Sequence, residues 1–352
     1  MKINSMQASS LIIPLMLSCF FGINTVTILN ISKNSSIISL IIGLSITFLF
    51  FRIILYINKY KNNMTIQDLL INLFGKKAGN KLNRLLLISI FILSIITFHN
   101  LINFLNINFI RNTPIIITSI LFIYLFYMIN KKGIETISRT SLILVSLSIL
   151  TFIIIIIGLI PHYNIASLKP VILSYNTILK SPTFITTSLI PYLFTILSIN
   201  TSNLIDKNKY LKYSLATYMI TSIMILIFTT SILSVLEKNL STMYNYPEYQ
   251  TLSIIKYFNI FNRCENILVL PFIISFFISI SFQINYLLKN INYKNSNTKL
   301  LTISSLLLIT SLLITKDKIY NNIINITMPI ISTIILFIIL FILIKIFQKK
   351  RC

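Results

Sequence analysis

Leu11–Ile31, LIIPLMLSCFFGINTVTILNI, is the stretch whose reading decides the fold. It is long and apolar enough to cross a bilayer, and no charge falls between Lys2 and Lys33. Its middle differs from its ends: Cys19, Gly22, Asn24, Thr25 and Thr27 cluster near the midplane among large apolar neighbours. A plain anchor has no use for an amide at that depth, and a glycine weakens the helix at the same point. A helix interrupted at bilayer depth is tolerated only where protein or a cavity covers its backbone, and such interruptions often form small-molecule sites. A second reading is structural: Gly22 eases helix packing and Asn24 bonds to a neighbouring helix. These residues alone leave both open.

Composition sets the class. Hydrophobic residues make up 55% of 352 and charged residues 11%, so much apolar surface that only a polytopic membrane protein accounts for it. The 3 cysteines, Cys19, Cys264 and Cys352, are scattered, which argues against a disulfide framework. With only 2 histidines as well, a metal centre is not expected. Leu11–Ile31 reads as the first span rather than a removed signal peptide.

Ten spans can be drawn, at about 11–31, 37–57, 85–110, 114–130, 141–160, 183–203, 214–236, 266–288, 300–315 and 323–344. The fourth and ninth are short enough to tilt or be partly re-entrant. With the N-terminus inside, 21 of the 30 basic residues fall on the cytoplasmic side, including the seven from Arg52 to Arg84, and nine fall outside. That asymmetry puts both termini in the cytoplasm. It also accounts for most of the +23 net charge through anionic headgroups, without nucleic acid. Within the first cytoplasmic connection, Asn58–Arg84, Thr65 and Asp68 form a T-x-x-D box that starts a surface helix ended by Gly75. In the second, Glu135 and Arg139 are spaced four apart as a local pair.

The sixth span, TTSLIPYLFTILSINTSNL, is the counterpart of the first. Pro191 removes a backbone donor and kinks the helix, and Tyr192, Thr195, Ser198 and Asn200 offer polar groups at or beyond the kink. Opposed half-helix ends in the two spans would grip a zwitterion, N–H groups on its carboxylate and carbonyls on its ammonium. Third-span His99 and Asn103, four apart, share a helix face and add a ligand contact, a proton relay or a plain interhelical bond. The seven acids, Asp68, Glu135, Asp206, Glu237, Glu248, Glu265 and Asp317, all read as lying in connections or at span ends. Gln283 and Asn285 read as interfacial. The outer connection Glu237–Glu265, with Tyr244, Tyr246, Pro247, Glu248 and Tyr249, reads first as aromatic anchoring at the interface, and second as a helix folded back over the outer mouth. There is no phosphate loop, nucleophile constellation or paired buried carboxylate, so no enzyme and no cofactor are expected.

Several strings resemble one known family. Thr65-Ile66, Phe74-Gly75-Lys76 with Gly79, Asn112-Thr113-Pro114 and Lys132-Gly133-Ile134-Glu135-Thr136-Ile137-Ser138-Arg139 are similar to the B-subunit permeases of bacterial endospore germinant receptors. Leu168-Lys169-Pro170-Val171, Tyr246-Pro247, Arg263 and Glu265 look like later landmarks of that family. The resemblance implies an all-α polytopic membrane protein of about ten transmembrane helices, related to the amino acid–polyamine–organocation transporters. It further implies one permease domain over 1–352, with a five-helix inverted repeat (about 11–160 and 183–344) and broken first and sixth helices. By the same resemblance it sits in the spore inner membrane with an A-type subunit and a C-type lipoprotein, senses a small nutrient such as an amino acid, and passes the signal to them. An autonomous amino-acid permease, or a structural subunit with a vestigial pocket, are the alternatives. The implied pocket uses Gly22, Asn24, Thr25, Tyr192, Thr195 and Ser198, with help from the third and eighth spans. Leu193-Phe194 stands where relatives carry a small residue and a glutamate, and Ile23-Asn24 where a glycine-containing turn is usual. Both departures bear on the ligand rather than the fold.

Overall fold

The computed structural model describes residues 3–61, 63–110, 112–253, 266–267, 269–291, 296–313 and 317–351. Lys2, Arg111, Lys256, Arg263, Cys264, Glu265, Lys294, Lys316 and Cys352, used above for charge, cysteine pattern or landmarks, lie outside them. The chain is all-α. In order come α1 (Ser5–Ser10), α2 (Ile12–Phe20), α3 (Ile23–Ser32), α4 (Ser36–Lys61), α5 (Ile66–Phe74), α6 (Lys76–Asn108) and α7 (Ile115–Lys132). There follow α8 (Ile134–Leu159), α9 (Ser181–Phe194), α10 (Lys207–Met243), α11 (Pro247–Ser253), α12 (Val269–Asn290), α13 (Ser296–Leu313) and α14 (Asp317–Arg351). Among the described residues, seven helical runs are long and apolar enough to cross a membrane, and two shorter apolar runs, Ser5–Phe20 and Asn297–Thr310, accompany them. The short α7 and α13 are unbroken helices of 18 residues each.

The helices are built inside out relative to a soluble bundle. On α8, Ser138, Ser141, Val145, Ser148, Thr151 and Ile155 form a buried stripe, whereas Ile143, Leu150, Ile154 and Ile157 are exposed. Apolar bulk faces lipid here, and small residues let neighbouring backbones approach. Ser141 uses that closeness to bond Ser10 of α1, hydroxyl to hydroxyl, at 3.1 Å. The same logic corrects the reading of α12. Gln283 is fully buried rather than interfacial, accepting from the Thr97 hydroxyl of α6 at 3.0 Å and donating to Ser279 at 3.2 Å. Asn285 is buried as well. A polar side chain at that depth joins helices because it finds no water to bond.

The two cytoplasmic-type connections follow their local signals. Thr65 and Asp68 make the reciprocal capping box that starts α5. Gly75 (φ 81°) ends it, and α5 then packs so tightly on α6 that a Cβ at Gly79 would sit 2.7 Å from the Ile71 backbone. Glu135 and Arg139 form their ion pair across one turn of α8. Exposed as it is, it adds only tenths of a kcal/mol. More consequential is the packing between the first and second parts of the chain: α9 lies against α2, α3 and α4, and α10 against α1, α2, α3 and α4.

Candidate functional site

The first span is divided at its middle. α2 stops at Phe20, Phe21 is extended, and Gly22 takes φ 83° and ψ −117° before α3 begins at Ile23. An L side chain rarely adopts that backbone, and space excludes one too. A Cβ on Gly22 would lie 2.8 Å from Tyr246 Cε1 and 3.1 Å from Asn100 Oδ1. The interruption frees backbone groups that must be bonded inside the protein. Asn24 Nδ2 donates to the Cys19 carbonyl, and the Thr25 hydroxyl to the Phe20 carbonyl. From α6, Asn100 Nδ2 donates to the Phe21 carbonyl at 3.0 Å. The Gly22 N–H donates to Glu248 Oε1 at 3.0 Å. Asn24 thus serves the preceding half of its own span rather than a neighbouring helix.

Glu248 lies in a connection, as expected, yet it is buried against the interrupted first span. It is 1% exposed, on the short α11, which folds back onto the break. Tyr246 is buried too, its hydroxyl 3.1 Å from Asn100 Oδ1. The fold-back reading of that connection therefore replaces interfacial anchoring. The physical reason is the unpaired amide at Gly22, positive at the start of α3, which attracts an anion. Burial pushes the Glu248 carboxyl up to about 7, against the lowering pull of the Thr25 hydroxyl and the Gly22 N–H. Phe21 stacks on Phe272 (5.3 Å) and meets Phe228 edge-on (6.2 Å), closing the surroundings. The space left between Phe21, Thr25, Phe228 and Glu248 is about 20 Å³, room for one water.

The sixth span gives way later than Pro191 suggests. α9 runs on to Phe194, tightens to a 3₁₀ turn over Thr195–Ser198, and becomes extended at Ile199 and Asn200. Tyr192, Thr195 and Ser198 are all buried, with Thr195 donating to the Tyr192 carbonyl at 2.6 Å. The Ser198 hydroxyl has no hydrogen-bond partner among the described residues. Two lysines meet the carbonyls left by the break. Lys61 Nζ, at the end of α4, donates to the Leu197 carbonyl (2.6 Å) and Asn200 Oδ1 (3.0 Å), and Lys289 Nζ donates to the Ser198 carbonyl (2.9 Å). Lys61 is placed by the charge count with the cations facing lipid headgroups. It is 1% exposed and faces the protein, because the negative end of α9 requires donors.

Beyond this break the chain is pinned to its own start. Ile3 pairs with Leu204, its N–H donating to the Asn203 carbonyl and its carbonyl accepting from Ile205, both at 3.0 Å. α11 thus lies over the first break, and the Ile3–Leu204 pairing lies just beyond the second. Of the sequence candidates, Gly22, Asn24 and Thr25 meet at the first break, and Tyr192, Thr195 and Ser198 at the second. His99 is buried on α6 and Asn103 half-buried, and Asn100 of the same helix bonds the break. Sequence reasoning does not place Asn100, Lys61 or Lys289 at the breaks, and it reaches Tyr246 and Glu248 only through the helix folded back over the outer mouth. The further signals are the crowding of Asn100 beside His99 and of Glu248 among tyrosines.

Replacing Lys61 by Met keeps the buried stem but removes the donor from Leu197 O and Asn200. Lys61→Met is expected to cost about 1–3 kcal/mol. Thermal unfolding in detergent, with exposed Lys77→Met as control, measures it, and equal midpoints for both would refute the capping role.

The sequence profile of the Spore_permease family, described as spore germination protein, matches residues 2–321. The chain belongs to this family. No individually curated protein matches it. Among solved structures, the substrate-bound outward-open state of a Na+-coupled sialic acid symporter is similar with a TM-score of 0.64 and 14% identity, over 95% of this chain and 78% of that one. At that identity the likeness shows the fold alone, that of an all-α polytopic membrane protein. Fold and family together describe a germination-associated membrane permease, not an enzyme.

Proposed function

We propose that this permease binds a small carboxylate-bearing nutrient, an amino acid, between the breaks in its first and sixth spans, and moves it by alternating which end of the bundle is shut. The observation that carries this reading is the buried Glu248 carboxylate on the Gly22 N–H. The backbone there takes a carboxylate, and in this shut form the protein supplies its own. An incoming ligand carboxylate would compete for that amide, and displacement of Glu248 would lift α11 from the outer mouth. Exchange of partners between the halves, with α9 on α4 and α10 on α2 and α3, supports a five-helix inverted repeat within a single ten-crossing domain. The charge asymmetry supports both termini in the cytoplasm, and the family supports the spore inner membrane.

A second reading has the same site acting as a sensor, with ligand occupancy read by A-type and C-type germinant receptor subunits. The family's tie to germination rather than to uptake favours it. Uptake of a pooled set of radiolabelled L-amino acids into proteoliposomes containing only this chain separates the two. Saturable uptake, reduced about 5- to 30-fold by Asn24→Leu or Thr195→Val through loss of a hydrogen bond worth about 1–2 kcal/mol, supports the carrier. Thermal stabilisation by an amino acid without uptake supports the sensor. Neither uptake nor stabilisation would overturn the site.

A further inference from the structure

A groove of about 450 Å³ runs between α4 and α10 on the side of the bundle that carries the chain's start. It is lined by Arg52, Leu55, Tyr56, Lys59 and Tyr60 of α4 and by Leu211 and Leu215 of α10. The α4 residues follow one another at helical spacing along one face, and the α10 leucines are one turn apart. Tyr56 is held by stacking on Phe347 of α14 at 6.3 Å. No acid lines the groove, and among the described residues neither Arg52 nor Lys59 makes a salt bridge. Lys61, two residues beyond Lys59, turns into the protein, whereas Arg52 and Lys59 are exposed. Arg52 lies seven residues before Lys59, about 10 Å deeper along the helix. Its long side chain can reach back toward the headgroup level. An unpaired guanidinium inside a span, beside a second cation and over an apolar floor, calls for an amphiphilic counter-ion.

We infer that this groove is a binding site for an anionic glycerophospholipid, its phosphate held by Arg52 and Lys59 and an acyl chain laid along Leu55, Leu211 and Leu215. The chemistry of each end is matched: a guanidinium fork and an ammonium suit phosphate oxygens, and phenol rings at the boundary suit the ester region. The lipid is preferred to free phosphate because only an amphiphile covers the leucine floor together with the charges. The site spans α4 and α10, which pack on the two interrupted spans, so occupancy would brace both.

Native mass spectrometry of the purified chain after delipidation and titration with phosphatidylglycerol, with phosphatidylcholine and inorganic phosphate as parallel arms, tests this. Phosphatidylglycerol is expected to be retained in preference to phosphatidylcholine. Arg52→Gln with Lys59→Gln should weaken phosphatidylglycerol by about 30-fold, about fivefold for each cation removed. The charge-matched control Lys77→Gln with Lys81→Gln, exposed on α6, should leave it unchanged. All four substituted positions are surface or groove positions, and the melting temperature of each variant reports its folding. Equal retention of both lipids, equal loss in the control pair, or binding of inorganic phosphate alone would each overturn the assignment.

Discussion

Gly22→Ala is expected to unfold at a markedly lower temperature than the parent chain and to lose ligand binding. Two independent terms act at that position. The φ of 83° is costly for any residue with a Cβ, by about 1–3 kcal/mol. The added carbon also falls 2.8 Å from the Tyr246 ring, and overpacking of that kind costs about 1–3 kcal/mol more. The terms can be separated. Tyr246→Leu in the Gly22→Ala background removes the ring contact but leaves the backbone strain, so it should restore only part of the loss. Gly43→Ala makes a useful comparison, since its Cβ would meet Ile185 at 2.8 Å within a regular stretch of α4 where alanine is the better helix former. It should be the milder change. Detergent melting curves of the three variants and their parent measure this, and a Gly22→Ala chain as stable as its parent would mean that the first span does not turn at that residue.

Acidification is expected to hold the protein shut. The Glu248 carboxyl stands at about 7 when buried under α11, against an ordinary value of 4.5. The shut form therefore binds the extra proton between those limits, and the form with α11 lifted does not. Its advantage is fully present below about 4.5 and is lost as pH rises through about 7. A neutral carboxyl still accepts from the Gly22 N–H through its carbonyl oxygen, so protonation leaves the contact in place. The half-saturating concentration of amino acid should then fall as pH rises from 5 to 8, by at most about tenfold per unit for a single proton. Glu248→Gln, isosteric and uncharged, should flatten the profile at its low-pH level, and Glu248→Ala should give tight binding at every pH. A slope that survives Glu248→Gln would place the titrating group elsewhere.

The sequence was most legible where a local pattern carries the structure. The helical positions, the Thr65–Asp68 cap, the Glu135–Arg139 pair and the oddity of Gly22 among apolar residues could all be read from neighbours within a few positions. What could not be read were the partners of the freed backbone groups. Nothing near Glu248 in sequence shows that it meets Gly22, 226 residues earlier. Lys61 is indistinguishable by composition from Lys59, yet helical rotation turns one inward and leaves the other exposed. His99 stands out in sequence as the only titratable group of the third span, whereas the bond to the Phe21 carbonyl comes from the amide of Asn100 beside it. Pro191 marked the right span, and regular helix runs on for three residues past it. In each case side-chain chemistry was visible and direction was not.

The pairing of Gly22 with Glu248 also sets a timetable for biogenesis. A ribosome adding about 5–20 residues per second places Gly22 in the membrane roughly 10–45 s before Glu248 is made. Asn100, 79 residues after Phe21, arrives first and secures one carbonyl, but the Gly22 amide has no acid to meet until most of the chain has been translated. The Gly22 amide is therefore without this partner during that interval, and slow codons between the third span and α11 would lengthen it.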